Sequence, residues 1–198
     1  MNTVGQSRAR KIMGNNFFGI KEAVRYFGIN PKWRQAIALL MIPFAEVTLK
    51  ECRDTHILVA DFGLSILDIR GKVKQKGFYD QDWYYNQSFA KERGEVCWRL
   101  VRKTIVDNST NKTCSEQQTL LGKDEETPAV RVMTYAIFGH YLATGERLFE
   151  HIYARTSSVD SDGDPVYVGY FVHDNLDVND KWDGDRSSGI ALGSDPKI

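Results

Sequence analysis

Between residues 170 and 193 the sequence reads YFVHDNLDVNDKWDGDRSSGIALG and is crowded with short polar side chains. Carboxylates at this density could bind a metal ion, or could form a pair that shares acid and base work. Side chains of the Tyr, His, Asn, Asp and Ser types could instead form a recognition surface, since they combine aromatic contact area with adaptable hydrogen-bonding groups. The stretch therefore has three candidate chemistries, which are metal binding, acid–base catalysis and ligand recognition.

Three aspartates just before this stretch have the alternate spacing of oxygen ligands in an EF-hand-like calcium loop: Asp160, Asp162 and Asp164. Pro165 lies where that loop needs glycine, and Phe171 lies where a bidentate carboxylate should complete the ligand set. A hairpin turn explains the aspartates more simply, because Asp, Gly and Pro are turn formers. We predict a turn here, and a calcium-dependent carbohydrate-binding domain remains an alternative.

Four later carboxylates could serve a different metal or a hydrolase that uses paired acids: Asp177, Asp180, Asp183 and Asp185. The sequence has no nucleophile motif, Gly-rich phosphate loop or HExxH segment to accompany them. A solvated strand face would have the same composition. The hydrolase is therefore the weakest of the alternatives.

The histidines and cysteines do not indicate a metal site. No two of the histidines have metal-ligand spacing on one helix face, and the three cysteines form no CxxC pair. We predict no metal, no cofactor and no catalytic residue.

Apolar and polar residues alternate in the same C-terminal stretch. If Leu176 and Val178 point inward, their neighbours on the strand point outward, and Trp182 adds a large buried anchor. We predict Tyr170 and His173 as the main anchors for a ligand. The complete predicted ligand-binding surface is Tyr170, His173, Asn175, Asp177, Asn179, Asp180, Asp183, Asp185, Ser187 and Ser188.

The N-terminal part of the chain has helical periodicity. Residues 17–50 predict one helix that begins at Phe17 and stops at Gly28 and Pro31, followed by a second helix from Lys32 to Met41. A helix-turn-helix DNA reader is possible from this pattern alone. A small packing module is the simpler interpretation.

The middle of the chain mixes strands and helices. HILVADF (56–62) and VCWRLVRKTIV (96–106) predict strands, and WYYNQSFAKERG (83–94) predicts a helix that ends at Gly94. A capping box from Ser115 to Gln118 predicts a short helix. Thr127 and Pro128 predict the start of a longer helix, whose apolar stripe comprises Val130, Met133, Ile137, Tyr141 and Leu142.

After Phe149 the pattern changes to short strands separated by turn formers. HIYARTSS, PVYVGYF, LDVNDKW and GIALGS each combine β-branched or aromatic residues with alternation. Helices followed by a run of antiparallel strands predict an α+β fold rather than a wound α/β fold.

Composition and charge argue against two classes of partner, nucleic acids and the membrane interior. The chain has 198 residues, 42% of them hydrophobic, with 26 basic and 26 acidic side chains. Zero net charge argues against nucleic acid as the main partner. The longest apolar run, from Ala36 to Phe44, is too short to span a bilayer, so we predict no membrane insertion. A signal peptide is not recognisable, and we expect a cytoplasmic protein unless another route displays it on a surface or virion.

The segments VYVGYF, LDVNDKWDGDR and GIALGS, preceded by residues 125–164, resemble the variable proteins of diversity-generating retroelements from small-genome uncultured bacteria and archaea and their viruses. The resemblance covers roughly residues 45–198 and rests on the overall pattern. It implies a C-type lectin-like fold, shared with formylglycine-generating enzymes, over residues 51–198. The diversified region would be about 166–193, and residues 1–50 would form a separate helical module.

In that family a reverse transcriptase miscopies template adenines, and AAC codons become codons for many residues. The resemblance implies that Phe171, Leu176, Val178 and Trp182 are fixed and that the exposed polar set varies. Lys181 departs from this pattern, because lysine cannot arise from AAC. The implied function is non-enzymatic binding of an unknown protein or cell-surface ligand.

Overall fold

The computed structural model describes residues 3–73, 77–181, 184 and 186–196. Its α-helices are α1 (Gln6–Met13), α2 (Ile20–Phe27), α3 (Trp33–Ala38), α4 (Glu46–Cys52), α5 (Ile66–Lys72), α6 (Ser88–Lys91), α7 (Cys114–Gln118) and α8 (Val130–Thr144). Its strands are β1 (Val4–Gly5), β2 (Phe17–Phe18), β3 (Met41–Ile42), β4 (His56–Asp61), β5 (Cys97–Arg102), β6 (Glu125–Glu126), β7 (Tyr153–Val159), β8 (Pro165–Val172), β9 (Asn175–Asp180), β10 (Ile190–Leu192) and β11 (Asp195–Pro196). In this part of the chain, no helix has both the length and the apolar character needed to cross a membrane.

Helix α8 lies at the centre of the molecule. Every residue from 130 to 140 is buried, so the helix is covered on all sides rather than along one stripe. It packs against α2 and α5 and against strands of two sheets, β4 and the β7–β8 pair. Gly145 ends it in the left-handed conformation, with its amide donating to the Tyr141 carbonyl at 2.7 Å. The helix predicted after Thr127 and Pro128 is confirmed.

A three-stranded sheet in the order β2-β4-β5 packs on one side of α8. Strand β4 is buried along its whole length and pairs antiparallel with β5, from His56 opposite Arg102 to Asp61 opposite Cys97. The short strand β2 pairs parallel with β4. Both strands predicted in this region are confirmed.

Phe17 and Phe18 form strand β2, so the prediction that a helix begins at Phe17 is wrong. Both rings are buried, and the Phe18 ring packs on the rings of Phe27 and Tyr135. The helix begins only at Ile20, where the Glu22 carboxylate accepts the Gly19 amide hydrogen bond at 2.8 Å. Burial of two adjacent aromatic rings thus overrides the helical periodicity of this segment.

A four-stranded sheet in the order β10-β7-β8-β9 contains the predicted recognition stretch. Strands β7, β8 and β9 are consecutive antiparallel neighbours. Strand β10 pairs parallel with β7 on the opposite edge, so the expectation of an entirely antiparallel run is wrong at its last strand. The chain has to cross from the β9 edge of the sheet to the β7 edge before β10 begins.

The turn predicted between β7 and β8 is confirmed. The Asp160 carboxylate accepts hydrogen bonds from the backbone amides of Asp162 at 2.9 Å and Asp164 at 2.8 Å. The Asp160 amide donates to the Asp164 carbonyl at 3.0 Å, which closes the loop. Asp160 therefore stabilises its own turn, as short acidic side chains commonly do.

Three helix boundaries differ from the sequence prediction. The capping box lies two residues earlier than predicted, because the Thr113 hydroxyl and the Glu116 carboxylate form the reciprocal pair. The second N-terminal helix ends at Ala38, and Met41–Ile42 pairs with β1 instead. Residues 83–94 form a 3-10 turn and then α6, which ends at Lys91 rather than at Gly94.

One hydrophobic cluster runs from Val4 to Val178 and includes residues of α1, α2 and β2. The molecule is thus a mixed helix-and-sheet structure in which several strand pairs are antiparallel. The division into residues 1–50 and 51–198 and the C-type lectin-like assignment remain predictions.

Candidate recognition surface

The β8–β9 hairpin turns through His173 and Asp174, which both have positive φ, at 50° and 63°. A two-residue loop with two positive φ values matches a type I′ turn, which normally selects Asn-Gly. Asp174 is held in place by the Tyr141 hydroxyl at 2.6 Å and by Arg147 Nε at 3.1 Å. These hydrogen bonds, with the Arg147 charge, lower the pKa of Asp174. His173 is thereby exposed at a fixed tip.

A bulge in β8 turns Tyr170 outward. Gly169 has φ 156° and Tyr170 has φ 47°, and the register with β9 shifts between Gly169 and Val172. The Gly169 backbone lies so close to β7 that a Cβ would be 2.3 Å from the Ile152 carbonyl oxygen. The bulge places the Tyr170 side chain in solvent, 43% exposed, while Phe171 is fully buried.

Tyr170 belongs to a group of aromatic rings on this sheet, the tyrosine cluster, which comprises His151, Tyr153, Tyr167 and Tyr170. The Tyr170 ring stacks on Tyr153 with centroids 5.7 Å apart, and Tyr153 meets Tyr167 edge-on at 4.8 Å. The His151 ring lies 6.5 Å from that of Tyr170. Stacked tyrosines offer rigid contact area with few rotatable bonds, which suits ligand binding.

Asp177 is only 7% exposed, so the prediction that it is an exposed binding residue is wrong. Its carboxylate accepts hydrogen bonds from the Tyr153 hydroxyl at 2.7 Å and from the Gln81 side-chain amide. Burial, and then the hydrogen bond with Asp177, raise the pKa of Tyr153. Asp177 thus positions the ring that supports Tyr170.

The cover over Asp177 comes from the segment 77–86, which lies along β9. The Leu176 amide donates to the Gly77 carbonyl at 2.8 Å, and the Tyr79 amide donates to the Leu176 carbonyl at 3.0 Å. The Trp83 indole donates to the Val178 carbonyl at 3.1 Å. Strand alternation alone could not predict this cover, because it arises from a distant segment.

An open groove with a volume of about 560 Å³ lies between this segment and the hairpin. Two predicted binding residues, His173 and Asn175, line it. The opposite wall is formed by Arg70, Phe78, Tyr79, Asp80 and Tyr85. Sequence reasoning missed this wall, although the aromatic density of GFYDQDWYY (77–85) was a usable signal.

Arg70 is fixed by its neighbours on the groove wall. Its guanidinium donates to the Tyr84 hydroxyl at 2.5 Å and to the Tyr79 carbonyl at 3.2 Å. It also lies over the Tyr85 ring, 5.1 Å from the centroid. The Asp80 carboxylate lies 3.7 Å from the Arg70 guanidinium and balances part of its charge. A planar cation held in this way among aromatic rings can form directed hydrogen bonds with a carbonyl group of a ligand, or with a carboxylate that displaces Asp80.

A buried cation lies beside the tyrosine cluster. Arg155 is fully buried and pairs with Tyr167 across β7 and β8. Within the part of the chain that the structure describes, its three guanidinium nitrogens have no hydrogen-bond partner. Arginine remains charged when buried. This buried charge lies on the side of the sheet where the Asp177 carboxylate accepts the Tyr153 hydroxyl, so groups of both signs lie beside the cluster.

The other predicted residues occupy different surroundings. Asn179 and Asp180 are half-buried on β9, and Asn179 Oδ1 accepts the Asp180 amide at 3.0 Å. Ser188 is exposed, whereas Ser187 is half-buried and its carbonyl accepts the Asn111 amide at 2.7 Å. The remaining predictions, Trp182, Asp183 and Asp185, lie outside the described residues.

Asp180 and Asp160 form a pair of neighbouring carboxyl groups. Burial raises the pKa of Asp180, as do the hydrogen bond with Asp160 and its charge. Both Asp160 backbone-amide contacts belong to its own turn, and the walls of the 560 Å³ groove include neither residue. Across the described residues, no three His, Cys, Asp or Glu side chains form a group that could hold a metal ion.

Comparison with known proteins adds no relative. No protein-family model, no curated protein and no solved structure matches this chain. The functional interpretation therefore depends on the geometry of the chain's own residues.

Proposed function

We propose that this chain is a non-enzymatic protein that binds an unknown protein or cell-surface ligand through the surface around the β8–β9 hairpin. The observation that carries the proposal is the placement of Tyr170 and His173. Both are exposed, both have positive φ, and His173 borders the 560 Å³ groove. Such backbone conformations are uncommon for residues other than glycine and occur preferentially at functional sites.

The physical basis of binding is preorganisation. The bulge fixes Tyr170 on the tyrosine cluster, and the hydrogen bonds of Asp174 fix the turn that contains His173. Side chains that are already ordered lose little conformational entropy when a ligand binds. Tyr170 supplies apolar contact area, and His173, Asn175 and Arg70 supply hydrogen-bonding groups around the groove.

The proposal includes diversification of this surface by adenine-directed mutagenic retrohoming. Burial supports it, because the framework residues Phe171, Leu176 and Val178 are at most 1% exposed. The described candidates for variation that are exposed or half-buried are Tyr170, His173, Asn175, Asn179, Asp180, Ser187 and Ser188. Asp177 does not belong with them, because its carboxylate supports Tyr153 and is buried.

A displayed library tests whether the fold tolerates this diversity. Codons for the seven exposed or half-buried positions are randomised, and the library is selected against a panel of purified proteins. We expect folded binders whose melting temperatures stay close to that of the parent. A matched library randomised at Phe171, Leu176 and Asp177 should be mostly unfolded. Equal folding losses in both libraries, or no binders from the first, would contradict the proposal.

The anchors are tested on a selected binder that retains Tyr170 and His173. Tyr170→Ala and His173→Ala should each weaken binding by at least about fivefold, as expected for central contacts. Val159→Ala removes an equally exposed side chain outside the surface and should leave affinity unchanged. Binding that survives replacement of the whole exposed set with alanine and serine would refute the assignment of the site.

The retroelement part of the proposal has its own test in the surrounding DNA. It requires a nearby reverse transcriptase gene and a near-copy of the segment encoding about residues 166–193 that differs at adenines. If both are missing, ligand binding can still hold but the diversification mechanism is wrong.

A further inference from the structure

Acidic side chains are scarce in the first quarter of the chain, although the whole chain has 26 basic and 26 acidic residues. Residues 1–50 contain eight Lys or Arg and only two Glu. All eight are exposed: Arg8, Arg10, Lys11, Lys21, Arg25, Lys32, Arg34 and Lys50. The rest of the chain holds the compensating acidic excess. Residues 1–50 therefore carry a net positive charge and residues 51–198 a net negative charge, although the two sum to zero.

Helix α3 lies within this basic region and has no buried residue. Its side chains Trp33 and Ile37 are 68% and 59% exposed, and Leu40 and Met41 directly after the helix are 63% and 45% exposed. Trp33 and Ile37 are one helical turn apart, so they share a face. We call these four residues the α3 patch. Large apolar side chains grouped in this way usually mark an interaction surface.

Basic groups adjoin the α3 patch. Lys32 and Arg34 flank Trp33, and the Arg34 guanidinium lies 5.3 Å from the centre of the Trp33 ring. Three further cations, Arg10, Lys21 and Arg25, line one cavity of about 350 Å³ between α1, α2 and the end of α8. Among the described residues that line this cavity, Glu22 is the only acidic one, and it pairs with Arg10. An anionic partner therefore complements the cations Lys32 and Arg34 that flank Trp33.

We propose that the α3 patch docks this protein on an anionic lipid membrane surface, a property that goes beyond ligand binding. Interfacial protein segments combine Trp and aliphatic side chains, which enter the headgroup region, with Lys and Arg, which contact anionic headgroups. The high exposure of Trp33, Ile37 and Leu40 leaves these side chains accessible to the headgroup region. Docking of this kind is peripheral, because the side chains reach only the headgroup region and no segment crosses the bilayer.

Two other partners could cover the α3 patch: a second copy of this chain, or an amphipathic helix of another protein. The residues in and around the patch disfavour both. A symmetric dimer through the α3 patch would bring two copies of the basic pair Lys32 and Arg34 into one small interface, with no acidic residue of α3 to balance them. An amphipathic partner helix needs a groove to accept its apolar face. None of the four residues of the α3 patch lines a described cavity, and all four are between 45% and 68% exposed.

Vesicle co-sedimentation with the full chain tests the proposal. Vesicles of phosphatidylcholine alone are compared with vesicles that also contain phosphatidylglycerol, at low salt and at about 0.5 M salt. We expect binding to the anionic vesicles that weakens at high salt, and little binding to neutral ones. Trp33→Ser with Ile37→Ser, and separately Lys32→Ser with Arg34→Ser, should each reduce binding roughly 10- to 30-fold.

Control variants separate docking from unfolding. The mutated side chains are exposed, so circular dichroism and melting temperature should match the parent. Val159→Ser and Lys91→Ser remove an apolar and a basic side chain outside residues 1–50, and both should bind like the parent. Absence of binding to anionic vesicles overturns the proposal. So does self-association in light scattering, or capture of an acidic amphipathic peptide, that depends on Trp33 while vesicle binding does not.

Discussion

At the scale of single residues, the proposed binding surface depends on side chains that lie beneath it. Asp177 is buried beneath the segment 77–86 and accepts the hydroxyl of Tyr153, and Tyr153 stacks under Tyr170. A carboxylate that looks like a catalytic or binding candidate in the sequence therefore has a positioning role. Whether an aspartate in this region can contact a ligand depends on whether another segment of the chain buries its carboxylate.

Asp195 is a second aspartate whose burial its sequence context does not reveal. Its side chain is 1% exposed, and neither carboxylate oxygen has a hydrogen-bond partner within the described part of the chain. Burial raises the pKa from the ordinary 3.8 to about 7; the nearby Arg99 opposes this shift and Glu126 adds to it. Between these two pH values the folded chain keeps a proton that the unfolded chain has lost.

This difference predicts the sign of a pH dependence. The unfolded state binds fewer protons between about pH 4 and pH 7, so the contribution of Asp195 to stability is greatest at low pH and falls as pH rises through this window. Asp195→Asn should remove the fall and raise the free energy of unfolding at pH 8 by up to about 4 kcal/mol relative to its effect at pH 4. Urea unfolding across this pH range measures it.

Asp124→Asn is the matched control, because Asp124 is exposed and lies in the loop just before β6. Its unfolding profile should follow that of the parent at every pH. If Asp195→Asn also follows the parent profile, the Asp195 carboxyl is not buried in solution as it is here.

At the scale of elements, the shape of the surface depends on irregularities in regular strands. The β8 bulge turns Tyr170 outward and keeps Phe171 in the core, and it needs glycine at 169. Gly169→Ala would place a methyl group 2.3 Å from the Ile152 carbonyl oxygen, at a φ of 156° that favours glycine. We expect a loss of about 2–4 kcal/mol in the free energy of unfolding, since both strain and a clash oppose the native bulge.

Gly71→Ala provides the comparison for this prediction. Gly71 lies in α5, and apart from its chain neighbours and the backbone of its own helix no described atom lies within 4 Å of the position that its Cβ would take. Alanine is the better helix former by up to about 1 kcal/mol, so this variant should be neutral or more stable. If chemical denaturation shows equal effects for the two variants, the close approach at Gly169 is absent in solution.

Most of the helices and strands could be predicted from the sequence, but fewer of the contacts between them could be. Strands β4, β5, β7, β8, β9 and β10 and helix α8 follow from apolar periodicity and turn formers, which act locally. The parallel pairing of β10 with β7 and the cover of Asp177 by residues 77–86 depend on segments far apart in sequence. Periodicity carries no information about contacts between distant segments. The exposure of His173 depends on the local turn and is predicted correctly, whereas the burial of Asp177 depends on the distant segment 77–86 and is not predicted.

At the scale of the whole molecule, the first 50 residues are joined to the remainder through shared packing. Strand β2 pairs with β4, and the Phe18 ring lies against Tyr135 of the central helix α8 at 5.9 Å. The fit is close, because a Cβ at Gly139 would lie 3.2 Å from the Phe18 ring. The N-terminal residues thus complete the core that α8 shares with the four-stranded sheet.

This packing predicts that residues 51–198 do not fold alone. Removal of residues 1–50 exposes the β2 edge of β4 and one side of α8, and a core that loses so much apolar cover should not unfold cooperatively. In the full chain, Phe18→Ala should cost about 3–5 kcal/mol, as large core truncations do, whereas Val24→Ala, at a side chain 43% exposed, should cost little. Thermal unfolding monitored by near-UV circular dichroism tests all three variants. A 51–198 fragment that melts cooperatively at the temperature of the full chain would show instead that residues 1–50 are a separable module.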